Sequence, residues 1–246
     1  MKRLIVNADD FGFTHDVNEG IVHAHRRGIL TSTTLMATGA AFDHAVALAR
    51  DNPDLDIGVH LVLVGTEGYP ATVGRLTASI ALGRVRIYDE LAQQVRKILD
   101  AGICPTHLDT HKHTHLLPPV LDAVARISQE FGILWVRQPI PVPVPFLRTT
   151  LHNRLRKRGC RTTDHFVGFE ITGAYDTPGL AALMRRLPEG VTEFMCHPGF
   201  CGEELRAAPT RLKESRRTEL DALTSSEVRE AMEESAVTLI SYRDLA

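Results

Sequence analysis

Short apolar, β-branched runs alternate with longer amphipathic stretches along almost the whole chain, and no other feature restricts its fold as much. Arg3–Val6, Ile29–Met36, Asp56–Leu63, Thr106–Asp109, Ile133–Gln138, Val191–His197 and Val237–Tyr242 read as strands. Between them, Asp16–Arg27, Phe42–Arg50, Tyr88–Ala101, Pro118–Phe131 and Pro178–Leu187 read as helices, with Gly28, Asn52-Pro53 and Gly132 as stop signals. A helix between successive strands is the signature of parallel βαβ units. Some six or seven such units, with no repeat period and no linker, predict one α/β domain over residues 1–246. The expected architecture is a distorted or incomplete (β/α) TIM-like barrel.

Two stretches interrupt the alternation. The first, near 65–86, is polar and contains glycine, which predicts a loop over one face. The second, near 139–165, opens with a proline run (PIPVPVP) that is extended and unfit for a central strand. It then becomes basic, with Arg148, Arg154, Arg156, Lys157, Arg158 and Arg161. A solvated helix is the plain reading; a docking patch for an anionic or membrane-borne substrate is the sharper one.

Composition closes off other classes. With 43% hydrophobic residues, 24% charged residues and a net charge of −2, the chain has the make-up of a folded domain and lacks the basic balance of a general nucleic-acid binder. No run of about 18 apolar residues appears, and the first ten residues lack the apolar core of a signal peptide. Cys104, Cys160, Cys196 and Cys201 form no CxxC pair and have no partner at zinc-finger spacing. They read as reduced thiols, and the expected location is cytoplasmic. The unusual number is 12 histidines, against 4 tyrosines and 1 tryptophan.

In a parallel barrel the reactive groups gather at the carboxyl ends of the strands. Asp9 and Asp10 follow the first predicted strand, and His60 lies late in the third. Asp109, His111, His113 and His115 follow a short apolar segment, while Arg137 and His197 close two further strands. Scattered placement would not put every acid, base and ligand candidate at one end. Adjacent carboxylates disfavour each other's ionisation, and a bound cation relieves one while leaving the other as a base. The plain alternative is that one aspartate caps the next helix. The segment His107-Leu-Asp109-Thr-His111-Lys-His113-Thr-His115 sets five titratable residues at alternate positions, so an extended chain would present all five on one face. Spacing alone does not choose which histidine binds. Two imidazoles and a carboxylate would leave coordination positions open, as catalysis requires.

Asn7-Ala-Asp-Asp-Phe-Gly12, Gly58-Val-His60, Thr106-His-Leu-Asp-Thr-His111 and Met195-Cys-His-Pro198 together resemble the YdjC-like carbohydrate deacetylases, which include the chitooligosaccharide and hopanoid-biosynthesis enzymes. The resemblance runs from Arg3 to about Tyr242. It implies one divalent metal ion, magnesium or zinc, and hydrolysis of an acetyl group from an N-acetylated amino sugar. Asp10, His60 and His111 are then the metal ligands, Asp9 the general base and His197 the acid facing the leaving amine. Arg137 orients Asp9. His113, His115 and Asp109 are left for substrate contact or for support of the ligands. The basic 139–165 excursion is similar to the hopanoid-associated members, which implies a lipid-linked N-acetylglucosamine beside free oligosaccharides as substrate. Relatives also imply a homodimer. The rival readings are a metal-dependent phosphoesterase, which needs a second metal, and a histidine-rich metal-binding protein, which needs exposed histidine tracts.

Overall fold

The computed structural model describes residues 1–139 and 145–245, the side chains of 145–148 excepted. The proline run from 140 to 144 and the side chain of Arg148 therefore lie outside the described residues.

Among the described residues, eight strands form one all-parallel sheet. They are β1 (Lys2–Phe11), β2 (Ser32–Leu35), β3 (Asp56–Leu61), β4 (His107–Thr110), β5 (Trp135–Val136), β6 (His165–Val167), β7 (Gly190–Cys196) and β8 (Val237–Leu239). Their order is β5-β4-β3-β2-β1-β7-β6, with β8 also paired to β1. One edge of β1 pairs with β7 from Lys2 to Ala8. The other edge is shared: its first residues, Lys2–Leu4, pair with β8, and Asn7 onward pairs with β2. The sheet curls into a half-barrel. Between β5 and β6 no ladder forms among the described residues. Instead Arg161 bridges to β5, donating its N–H to the Leu134 carbonyl at 2.8 Å and accepting from Val136 at 2.9 Å. The result is the incomplete TIM-like α/β barrel expected from the strand–helix alternation.

Ten α-helices among the described residues wrap the sheet: α1 (His15–Arg27), α2 (Phe42–Asp51), α3 (Val73–Ala81), α4 (Ile87–Asp100), α5 (Pro118–Phe131), α6 (Pro145–Lys157), α7 (Thr177–Arg185), α8 (Glu203–Ala207), α9 (Glu214–Thr224) and α10 (Ser226–Glu234). Helices on the outside explain why β3, β4 and most of β1 are buried throughout instead of alternating. In α4 the buried stripe is Leu91, Ala92, Val95 and Ile98, at helical spacing. Truncating Ile98 to alanine would cost about 2–5 kcal/mol in this packing. One apolar cluster runs from Leu4 to Met232. No described helix is long and apolar enough to cross a membrane.

The structure corrects several expected boundaries. The 65–86 stretch is not all loop: α3 forms there, capped by Thr72, whose hydroxyl accepts from the Arg75 N–H. Only Leu76 of α3 is buried, so its apolar stripe is too thin to read. The first strand reaches Phe11, so Asp9 and Asp10 lie inside it and not after it. Neither aspartate caps α1; the Thr14 hydroxyl does, accepting from the Val17 N–H at 3.2 Å. The exposed Arg154, Arg156, Lys157 and Arg158 on and just after α6 match the plain expectation of a solvated basic face.

Candidate active site

The site is built on a backbone irregularity. The pairing of β1 with β2 shifts register between Ala8 and Phe11, and Asp10 adopts φ 70°. Successive strand residues ordinarily face opposite sides. The bulge overrides this, and both Asp9 and Asp10 line one cavity of about 460 Å³. Four non-glycine residues among those described have positive φ, and three of them, Asp10, Lys112 and His113, line this cavity. Such conformations cost energy and are retained where function needs them. Gly58 contributes by absence: a Cβ there would stand 2.6 Å from the His107 ring.

Three atoms converge at the cavity floor. Asp10 Oδ1 lies 3.3 Å from His60 Nε2 and 3.1 Å from His111 Nδ1, and the two nitrogens are 3.2 Å apart. Donors about 2.0–2.1 Å from one ion in tetrahedral geometry stand about 3.3 Å apart, so the triangle has the dimensions of a metal site. Asp10 Oδ1 is buried and receives no well-directed hydrogen bond. His60 is held from behind, with Nδ1 2.7 Å from Asp109 Oδ1, which fixes Nε2 towards the triangle. These residues can hold a metal ion. Burial opposes charge on His60, but Asp109, Asp10 and Asp9 outweigh it and its pKa is pushed up to about 10 in the metal-free protein.

Beside the triangle, Arg137 gathers three carboxylates. Its Nη1 and Nη2 donate to both oxygens of Asp9 at 2.7 and 2.6 Å, Nη1 lies 2.7 Å from Asp109 Oδ2, and Nε donates to Glu193 at 2.8 Å. All four side chains are buried. Burial works against ionisation of Asp9, yet Arg137 overcomes it and holds the carboxyl well below the usual range. Asp9, His60 and Asp109 also have the makings of a metal cluster. That space already contains a guanidinium, so a second metal there would have to displace a cation bound on three sides.

His197 follows β7, and its Nε2 is 3.9 Å from Asp9 Oδ2. Burial lowers its pKa, against the pull of Asp9 and Glu219, which favours the neutral imidazole. Two residues that sequence reading missed hold this side in place. Arg216 on α9 donates through Nη2 to Asp10 Oδ2. Glu219, one turn later, accepts from the His197 N–H at 2.6 Å, the Tyr175 hydroxyl at 3.0 Å and the Gly173 N–H at 2.9 Å. Both are buried charges on a polar helix, where a search for apolar periodicity reads them as solvent-facing. Asn7 on β1 donates to Asp9 at 3.2 Å and Glu193 on β7 accepts from Arg137; neither was singled out as a site candidate from the sequence.

The alternating histidine segment does not stay extended. The strand ends at Thr110, and His111–Leu116 turns as a 3₁₀ helix with Lys112 and His113 in left-handed conformations. The five titratable groups therefore do not share a face. His107 points into the barrel, bonded to Asn7 at 2.9 Å and stacked on Tyr242. Of the four histidines only His111 reaches the triangle. His113 lines the cavity between Phe166 and Phe169. His115 packs away from the cavity against Thr110, and burial pushes its pKa down to about 3. Asp109 stands behind His60 and Arg137. The four cysteines are free.

With this geometry established, the relatives are informative. The sequence matches the family described as YdjC-like protein over residues 3–234. The chain belongs to that family. A carbohydrate deacetylase of Brevibacillus brevis is 34% identical over 99% of both chains. A crystal structure from Enterococcus faecalis, described as a candidate cellobiose-phosphate cleavage protein, superposes with TM-score 0.86 at 31% identity over 100% of this YdjC-like chain and 99% of that one. A family 4 carbohydrate esterase from Streptomyces lividans, in complex with acetate, shares the fold at TM-score 0.50 and 14% identity, over 99% and 93% of the two chains.

Proposed function

We propose that this YdjC-like chain is a metal-dependent hydrolase that cleaves the amide C–N bond of an N-acetylated amino sugar. The observation that carries the reading is Asp10 Oδ1, a buried carboxylate oxygen without a well-directed hydrogen bond, facing two imidazole nitrogens at 3.1–3.3 Å. The deacetylase named among the relatives supplies the reaction class. Two imidazoles in the donor set favour zinc over magnesium, which prefers an all-oxygen shell.

An amide is a poor electrophile and water a poor nucleophile. A divalent ion held by Asp10, His60 and His111 would polarise the acetyl carbonyl and acidify water. Asp9 lies beside that position and accepts the proton lost by water. Arg137 favours its carboxylate form, so a proton on Asp9 is weakly held. Neutral His197, 3.9 Å away, is free to take a proton and to deliver it to the amine nitrogen, which cannot leave as an anion. Asp109 and Arg137 act indirectly, the first by fixing His60 and the second by fixing Asp9. The guanidinium between Asp9 and Asp109 weighs against the two-metal phosphoesterase reading.

The test is acetate release from free, chitobiose-type and lipid-linked N-acetylglucosamine, with and without a chelator. Acetate should appear from at least one substrate, stop on chelation and return with zinc. Acetate release that continues unchanged without metal would overturn the metal role. Phosphate release from an aryl phosphate, with no acetate from any sugar, would overturn the reaction class.

A further inference from the structure

The two oxygens of Asp10 face two different cationic positions. Oδ1 looks into the triangle with His60 and His111, whereas Oδ2 is taken by Arg216 Nη2. Arg216 is itself fixed. Its Nε donates to the Leu212 carbonyl at 3.3 Å, and its own carbonyl accepts from Gly199 at 3.2 Å. The helix that carries it is tied down by Glu219 on Tyr175, Gly173 and His197. Arg216 is 1% exposed, and its Nη1 has no hydrogen-bond partner among the described residues. A buried arginine with a donor left unsatisfied is poor packing chemistry, and its bond to Asp10 is the one ion pair it makes among the described residues. A free carboxylate beside a metal readily binds through both oxygens. One whose outer oxygen is held by a fixed guanidinium binds through one.

We propose that Arg216 is a positioning residue that confines Asp10 to a single ligating oxygen, so that coordination positions on the cavity side stay open to small oxygen ligands. The inference rests on the metal-hydrolase reading. It makes an unexpected prediction about the sign of the effect. Arg216 places positive charge near a cation site, so removing it should not weaken the metal; it should change what else the metal can bind.

Cobalt(II) serves as the probe, with acetate as the small ligand. In Arg216→Met, cobalt should bind as tightly as in the wild type or several-fold tighter. Its visible spectrum should change, and acetate should bind the loaded protein about tenfold more weakly. Arg216→Lys keeps the charge but places its donors on a single nitrogen, and should fall between the two. Arg217→Gln, an exposed neighbour on the same helix, should leave all three readouts unchanged. Wild-type spectrum and acetate affinity in folded Arg216→Met and Arg216→Lys would overturn the proposal. So would a tenfold loss of cobalt affinity in both, because Arg216 would then merely hold Asp10 in place. A wild-type protein that takes up no cobalt would instead defeat the hydrolase reading itself, a result distinguishable because it precedes any substitution.

Discussion

Asp9 and Asp10 leave the same bulge of β1 and end in two differently furnished halves of one site. Around Asp9 the carboxylates outnumber the histidines, and Arg137 fills the space between them with bonds of 2.6–2.8 Å. Around Asp10 two imidazoles and one oxygen face each other with no hydrogen atom well placed between the oxygen and either ring. Both clusters contain the raw materials of a metal site. What separates them is where the protein's own cation lies: Arg137 fills the space among the donors around Asp9, whereas Arg216 takes only the outer oxygen of Asp10. A fixed guanidinium turns one cluster into a rigid support for the Asp9 carboxylate. In the other, one oxygen and two imidazole nitrogens converge, and loss of the His60 proton makes them a receptor for a cation from outside.

That contrast can be broken most sharply by paired substitutions. His60→Ala removes a corner of the triangle and should abolish metal uptake, with activity falling on the order of 10³-fold or more. Asp9→Asn should keep the metal and lower kcat about 10²–10⁴-fold. Metal analysis of both purified proteins checks the division; equal metal loss in the two would merge the halves. Next in size is Arg137→Met, which strands three buried carboxylates and should destabilise the fold by about 3–5 kcal/mol in urea titration. A loss below about 1 kcal/mol would mean that Asp9, Asp109 and Glu193 do not depend on that charge.

The smallest effect is in pH dependence. A raised folded pKa means that His60's charge stabilises the metal-free protein fully below the unfolded value near 6.5 and ceases to do so as pH rises through about 10. Metal uptake at pH 7–8 should therefore release close to one proton from His60, and apparent affinity should rise up to about tenfold per pH unit, levelling near pH 10. Asp9, ionised throughout that window, adds no slope. Calorimetry in buffers of different ionisation enthalpy measures the released proton, and none released would show that His60 is neutral before the metal arrives.

Much of this site was legible because its residues stand at strand ends, where sequence position translates directly into place. His60, Arg137 and His197 needed only the end of a strand to be recognised, and the four motif blocks carried the family. The histidine segment misled because alternation implies a face only while the chain stays extended. Nothing in Thr110-His111-Lys112-His113 is a glycine or proline to announce the turn, and two ordinary residues adopt left-handed conformations instead. Arg216 and Glu219 were hidden by a more general effect. Helix α9 directs charge inward as well as apolar residues, burying Arg216 and Glu219 beside Leu220 and Leu223, so the pattern that marks a core-facing stripe is absent.

The placement of β1 bears on how the site comes into being. β1 is the first strand made, yet Lys2 pairs with Gly190 on one edge and with Val237 on the other. Asp9 and Asp10 thus sit on a strand with one early neighbour, β2, and two late ones, β7 and β8, and α9 with its arginine also comes late. Pairings this distant in sequence slow folding. A nascent chain lacking its final quarter would carry Asp9, Asp10, His60 and His111 but neither His197 nor Arg216, so the last part of the chain to be made completes the surroundings of the two aspartates.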